Sequence, residues 1–301
     1  MRKTILLTGT SGFIGKIFLK DVLQRGFKVI DILRIKNKKN KNLNLLRKNF
    51  PGSYKTIFFK NNSEIKKKLN KIKVDYFINF ATFYKNTHTY SEIPTFINSN
   101  IVFPSLILDL IYSKVQKIIN FGTMMQHLDG KNYISNNFYA STKSAMEMIT
   151  IYYSHLNKNT KVYNLKFYES FSEQDTREKL IPVLIRNYKK NKKTKIISKK
   201  LELNLIHVKD IIKAIDILLK KNYQSGSYCL KSNKNIKISS MISEINKNSL
   251  KKIKVRYLNL KYRKPKKNKI KILPGWKPTI EIKKILKEIL NNGNSKVKYK
   301  N

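Results

Sequence analysis

The chain reads as an α/β protein with a doubly wound parallel sheet and a smaller C-terminal lobe. Three observations carry that reading. Short apolar runs alternate with helix-like stretches through the first half of the 301 residues. The runs are apolar at successive positions, as strands covered on both faces must be. The first run also ends in a glycine-rich turn that opens a helix, the unit from which such sheets are wound.

Taken in order, residues 4–8 predict the first strand and 12–24 the first helix. Residues 28–33, 56–59, 76–80 and 117–121 predict the next four strands, with a helix over 101–112 between the last two. A helix over 141–156 and a strand over 161–167 follow. Beyond Glu169 the pattern loosens. The lysine-rich stretches 189–200 and 261–271 read as surface loops or exposed faces. Residues 206–219 read as a strand end followed by a helix. Residues 280–290 carry Ile282, Ile285, Leu286 and Ile289 at helical spacing, and 291–301 form a polar tail. No internal repeat is visible. The sheet domain is expected over 1–168 with 204–222, and the lobe over 169–203 and 223–290.

Composition narrows the function classes. Hydrophobic residues at 41% and aromatics at 11% exclude an intrinsically disordered chain. No apolar run approaches the roughly 20 residues that cross a bilayer, and the N-terminal run is too short for a secretory signal. Cys229 is the single cysteine, so neither an internal disulfide nor a cysteine-based metal site can form. A cytoplasmic protein without membrane insertion is the expectation. The formal charge is +46, but only eight of the 64 basic residues are arginine, whose planar fork sequence-specific nucleic-acid readers use. The lysines run through almost every segment, which favours a chain-wide compositional bias over a specific nucleic-acid partner; a polyanion partner is the alternative.

The motifs point to dinucleotide chemistry. Thr8-Gly9-Thr10-Ser11-Gly12-Phe13-Ile14-Gly15 follows the first strand directly. Gly9 permits the sharp turn, Gly12 lets backbone approach a pyrophosphate, and Gly15 lets the helix pack close to the sheet. The helix N-terminus adds N–H donors and the positive end of its dipole. Further on, Tyr139-Ala140-Ser141-Thr142-Lys143 puts a phenol and an ammonium one helical turn apart. An ammonium there lowers the phenol pKa from about 10 and suits it to proton transfer near neutral pH. The competing reading is an amphipathic helix with a half-buried Tyr and an exposed Lys.

Together these motifs resemble the short-chain dehydrogenase/reductase superfamily in its extended branch, the nucleotide-sugar epimerases, dehydratases and 4-ketoreductases. The resemblance spans nearly the whole chain and implies an NAD(P)-binding Rossmann fold. It implies a third catalytic position at Thr123, at the end of the strand in Asn120-Phe121-Gly122-Thr123. Phe80, Ala81 and Thr82 resemble the loop that lines the cofactor, and Asn100 a position that ties adjacent strand ends together. Ile206-His207-Val208-Lys209-Asp210 and Leu273-Pro274-Gly275-Trp276-Lys277-Pro278 resemble two late signatures of the branch. Trp276 reads as core rather than as a sugar platform.

Departures refine the expectation. Dehydratases of this branch follow the Thr with an acid pair, whereas Met124 and Met125 stand here, beside the expected substrate pocket or as packing residues. A Gly and a Pro usual after the sixth strand are absent from 166–173, and Leu203 replaces a frequent Arg. Pyrophosphate binding would then fall to Arg177, Lys179 and Arg263, each of which could equally be a solvated surface charge. At the end of the second strand the ribose-reading acid falls on Leu33, with Arg34 and Lys36 following. That register implies NADP; a strand ending early would put Asp31 at the ribose and imply NAD. The implied activity is NADP-dependent reduction of a nucleotide-diphosphate 4-keto sugar, in deoxysugar synthesis for a surface polysaccharide. An NAD-dependent 4-epimerase and a catalytically silent dinucleotide- or polyanion-binding protein are the alternatives. A homodimer is expected through the helices after Asn100 and around Tyr139.

Overall fold

The computed structural model describes residues 2–247, 251–260, 266 and 269–291. By internal contacts the chain divides into two compact units. Met1–Lys166, Ile215–Cys229 and Pro265–Leu273 form the first; Phe167–Ala214, Leu230–Lys264 and Pro274–Asn301 form the second. The division therefore falls inside a helix, at 214/215, rather than ahead of residue 204. Residues 223–229 go with the sheet because they form most of its edge strand, and Cys229 bridges Ile272.

The first unit holds β1 (Thr4–Thr8), α1 (Phe13–Gln24), β2 (Lys28–Arg34), α2 (Lys41–Asn49), β3 (Tyr54–Phe59), α3 (Ser63–Leu69) and β4 (Tyr76–Asn79). Then come α4 (Ile93–Ile97), α5 (Phe103–Ile111), β5 (Lys117–Thr123), α6 (Phe138–Leu156) and β6 (Lys161–Phe167). The second unit contributes β7 (Glu169–Phe171), α7 (Leu180–Lys189), β8 (Thr194–Ile196), β9 (Glu202–Leu203) and β10 (Leu205–His207). Helix α8 (Val208–Lys220) leads back to β11 (Gly226–Leu230), before β12 (Ile236–Lys237), α9 (Ile238–Lys247), β13 (Val255–Tyr257) and α10 (Ile282–Asn291).

Seven strands make one sheet in the order β11-β6-β5-β4-β1-β2-β3. Thr8 pairs with both Ile32 and Asn79, so the carboxyl ends of β1 and β4 lie level and β2 runs two residues beyond them. A chain of buried side chains crosses those ends. Thr8 Oγ1 donates to Asn79 Oδ1 at 2.7 Å, Asn79 Nδ2 to Asn120 Oδ1 at 3.0 Å, and Asn120 Nδ2 to Asn164 Oδ1 at 2.9 Å. Each bond satisfies polar atoms that would otherwise cost about 1–3 kcal/mol apiece in this interior.

Helical residues cover the sheet with the apolar faces their spacing dictates. Phe18, Leu19, Val22 and Leu23 of α1 are buried, each contributing about 1.5–3 kcal/mol by leaving water. Leu6, Phe77, Ile118 and Val162 pack with Phe103, Ile107, Leu108 and Ile111 in one cluster. Lys117, at the start of β5, is buried too, and its Nζ donates to the carbonyls of Leu218, Leu219 and Lys221 at 2.8–3.0 Å. An ammonium there completes the negative end of α8.

The helical stretch Tyr90–Ile111 reaches 22 residues and is long and apolar enough to cross a bilayer by length and composition, contrary to the sequence expectation. One face of it, with Phe96, Phe103, Ile107, Leu108 and Ile111, is buried in the core of the sheet unit. The stretch is not uniform, since Asn98–Val102 widens into a π turn. Pro104 explains this: it lacks the N–H that would bond the Asn100 carbonyl, and its ring crowds that oxygen.

In the second unit, β7 pairs with β10, β9 with β12 and β8 with β13. The predicted surface stretch 189–200 contains β8, whose Thr194 and Ile196 are buried while Lys195 is exposed. Leu184, Ile196, Ile238, Met241, Ile242 and Leu286 build a separate apolar core.

Candidate active site

The turn between β1 and α1 is a tight cradle. Gly9 has φ +72°, and a Cβ on it would lie 2.4 Å from the Ala81 nitrogen and the Phe80 carbonyl carbon, so only glycine fits. A Cβ on Gly15 would lie 2.5 Å from the Gly9 carbonyl oxygen. Gly15 thus brings the first turn of α1 against the cradle itself, a closer partner than the sheet face expected for it. Gly12 is exposed, donates its N–H to the Gly9 carbonyl at 3.0 Å and starts α1 without a side-chain cap. Phe13 and Ile14 occupy the first turn, half-buried. An uncapped helix N-terminus over a glycine cradle fits the pyrophosphate of a dinucleotide.

A cleft opens beside the cradle. Its walls are Gly9, Ser11, Leu33, Arg34, Lys36, Ala81, Thr82 and Ser99, with Ile32, Phe59 and Phe103 among the residues behind them. Strand β2 runs through to Arg34, so Leu33 and Arg34 reach the cleft, and Arg34 Nη2 donates to Ser99 Oγ at 2.9 Å. Asp31 does not reach it: the residue is fully buried, and its Oδ2 accepts from Thr10 Oγ1 and from the Tyr54 hydroxyl. The early-ending register is therefore overturned.

Asn100 acts on the cleft through its neighbours. Its Oδ1 accepts from the Phe83 nitrogen at 2.6 Å and from Thr82 Oγ1 at 3.3 Å, while Nδ2 donates to the Phe83 carbonyl and to Thr142 Oγ1. With its amide so engaged, Asn100 ties the loop after β4 to α6 rather than offering that amide to a ligand. Phe80 stacks on Phe121 at 4.7 Å and braces the same loop.

The candidate catalytic set lies at the end of β5 and the start of α6. Asn137 caps α6 by accepting the Ala140 N–H at 2.9 Å, which puts Tyr139 in the first turn. Tyr139 is half-buried and meets the ring of Tyr84 edge-on at 4.8 Å. Lys143 is 2% exposed, and burial pulls its pKa down to about 8 against the opposing charge of Glu147. The alternative of an exposed Lys on an amphipathic helix is thereby excluded.

Thr123 ends β5 in a capping box: its N–H donates to Gln126 Oε1 at 2.8 Å, and its Oγ1 accepts from the Met125 nitrogen at 3.2 Å. Met124 departs from its expected substrate-facing place. It is 2% exposed, with its sulfur 3.6 Å from the Cys229 thiol, because the turn aims it into the core; Met125 stays half-buried.

In the second unit the expected pyrophosphate cations are engaged with carboxylates. Arg177 makes Nε and Nη2 bonds to Asp175 at 2.8 and 2.7 Å and a bond to the Ser170 carbonyl, and Lys179 pairs with Glu169 at 2.7 Å. Both bind the chain around themselves; Arg263 lies outside the described residues. The two late signatures meet. Asp210 accepts from Thr279 and Ile280, its carbonyl accepts from the Trp276 indole at 2.8 Å, and Trp276 is buried as core.

Sequence reasoning missed Tyr84, Ser99, Gln126 and Glu147. The Thr123-x-x-Gln126 spacing is a capping-box signal, and Glu147 continues the one-turn spacing of Tyr139 and Lys143. Nothing in the sequence marked Tyr84 or Ser99.

Comparison with known proteins agrees with this geometry. The pattern of the NAD dependent epimerase/dehydratase family matches residues 5–230. A CDP-abequose synthase of Yersinia pseudotuberculosis is 27% identical over 214 residues, covering 70% of this chain and 71% of its own. One of Salmonella muenchen is 21% identical over 262 residues, covering 85% and 84%. Among solved structures, a UDP-glucuronic acid 4-epimerase of Bacillus cereus with UDP-glucuronic acid and NAD has a TM-score of 0.79 at 18% identity, covering 96% of this chain and 98% of its own. A dTDP-glucose 4,6-dehydratase of Bacillus anthracis with NAD has a TM-score of 0.76 at 21% identity, covering 96% of each.

Proposed function

The chain belongs to the NAD-dependent epimerase/dehydratase family, and from that premise we propose that it reduces the 4-keto carbon of a nucleotide-diphosphate sugar with NADPH. The glycine cradle, the α1 N-terminus and the cleft at Arg34 would hold the dinucleotide, which supplies the hydride when bound. Tyr139 donates the proton to the sugar oxygen, and a hydrogen bond from Thr123 orients that oxygen. The buried Lys143 stabilises the phenolate that Tyr139 becomes and holds the nicotinamide ribose.

The observation that carries this reading is the turn after Thr123. Elimination of water needs a proton-transferring pair there, and Met124 and Met125 cannot transfer protons. The proton chemistry is left to Tyr139. The names of the two curated relatives make a cytidine-diphosphate 4-keto sugar the first substrate to try.

Oxidation and re-reduction of one carbon by the same residues is the second reading, supported by the fold's likeness to 4-epimerases. Incubation with a panel of nucleotide 4-keto sugars, followed at the NADPH absorbance, separates the two. Stoichiometric NADPH consumption supports the reductase; product without net consumption supports the epimerase.

A further inference from the structure

Behind the Thr123 turn lies a buried ionic cluster that the chemistry above does not use. Glu147 sits on α6 one turn beyond Lys143. Its Oε1 accepts from Lys166 Nζ at 2.8 Å and from Ser227 Oγ, and its Oε2 accepts from Gln126 Nε2 at 2.7 Å. Lys166, on β6, also donates to His127 Nε2 at 2.6 Å. An ammonium can only donate, so Nε2 accepts, and His127 is the neutral tautomer whose Nδ1–H donates to the Asn132 carbonyl at 3.0 Å. Burial and the adjacent Lys166 hold the His127 pKa below its ordinary value. The Tyr133 ring lies 4.8 Å from the Lys166 ammonium, and burial together with the Glu147 charge raises the Tyr133 pKa. The Cys229 thiol is the remaining titratable group acting on Lys166.

We propose that Glu147 is a positioning residue that joins the two ends of the catalytic set, holding the Thr123 turn through Gln126 and the Lys143 ammonium through its charge. The proposal rests on the reading of Thr123, Tyr139 and Lys143 as that set. The Gln126 amide has one workable orientation: its oxygen takes the Thr123 N–H and its nitrogen gives to Glu147. Flipped, it would set a carbonyl against a carboxylate. The electrostatic half follows from burial. Desolvation favours the neutral amine of Lys143, and the Glu147 carboxylate is the opposing influence. Without that charge Lys143 would lose its proton at a lower pH, and its grip on ribose and phenolate with it.

The test is the pH dependence of NADPH affinity, read by cofactor fluorescence without any sugar present. Wild type should lose affinity on the alkaline side, with a midpoint near pH 8. In Glu147→Gln the midpoint should fall by on the order of one pH unit. The double variant Glu147→Gln/Lys166→Met should show the same fall, while sparing the fold an unpaired buried ammonium. Glu147→Asp, which keeps the charge, should restore the wild-type limb. A limb unmoved in the folded variants, or moved equally by Glu147→Asp, overturns the role of Glu147. A limb that moves as expected in a protein that reduces no 4-keto sugar overturns the proposed reaction instead and upholds Glu147.

Discussion

The hydroxyl of Thr10, in the cradle between β1 and α1, donates to Oδ2 of Asp31, buried within β2. Tyr54 donates to the same oxygen at 2.7 Å, while Oδ1 has no partner among the described residues. Burial raises the Asp31 pKa to about 7, although both donors work against it. A carboxyl whose folded pKa lies above its unfolded value, about 3.9, binds protons on folding between those limits. Its contribution to stability is therefore full below about pH 4, is lost as pH rises to about 7, and is level beyond. Denaturation of wild type and Asp31→Asn across pH 4–8 should show the difference between them changing with that sign. A constant difference would mean that Asp31 is ionised throughout.

The sheet was legible because its strands are short apolar runs and glycines fall where the backbone requires them. Gly9 and Gly15 have no space for a Cβ, and such positions are visible in sequence as a spaced triplet. Helix α2 was not legible: its apolar residues Leu43, Leu45 and Leu46 sit among Lys and Asn, and only Leu43 is buried. Strand β8 was hidden in a lysine run because one face of a two-stranded pair is solvated. At the candidate site, Thr123, Tyr139 and Lys143 were singled out by spacing and family likeness. The commitments of Arg177 and Lys179 were not, since their carboxylate partners are set by loop geometry that no periodicity records.

Tyr139→Phe removes the phenolic proton and keeps the ring against Tyr84. Turnover should fall roughly 10²- to 10⁴-fold, as for loss of a general acid, with the thermal transition unchanged. Single-turnover reduction under NADPH absorbance measures it, and near wild-type rates would remove Tyr139 from the chemistry.

Gln126→Leu strands two buried groups at once, the Thr123 N–H and Glu147 Oε2. Each stranded group costs about 1–3 kcal/mol, so a clear fall in the urea midpoint is expected. Because the turn carries the Thr123 hydroxyl, kcat should fall more than KM rises. Equal stability and equal kcat would show that the capping box does not position Thr123.

Self-association should follow from α6. Met148, Tyr152 and Leu156 are 45%, 59% and 52% exposed at one-turn spacing, with Leu106 of α5 exposed as well. Phe103, Ile107 and Met146, on the same two helices, are core residues and take no part in that stripe. An apolar stripe of this kind marks an interaction surface. Sedimentation at micromolar concentration should give a dimer, and Met148→Glu/Tyr152→Glu should give a monomer. A monomeric wild type would assign the stripe to solvent.

Cofactor choice turns on the end of β2. The position that would hold a ribose-reading carboxylate is the buried Leu33, which neither accepts a hydrogen bond nor repels a phosphate. Asp31 is buried beneath the cradle, with its Oδ2 taken by Thr10 and Tyr54. Arg34 lines the cleft with its guanidinium pinned on one side by Ser99, which leaves the planar fork pre-oriented for a phosphate; Lys36 stands on the same wall. An NADP 2′-phosphate would gain a charge-assisted pair here, whereas an NAD 2′-hydroxyl would gain little. Arg34→Ala should weaken NADPH binding at least tenfold, about 1.4 kcal/mol, and leave NADH nearly untouched. Titration of both cofactors against wild type and variant decides it. Equal losses for the two, or tighter NADH binding by wild type, would show that Arg34 does not read the ribose.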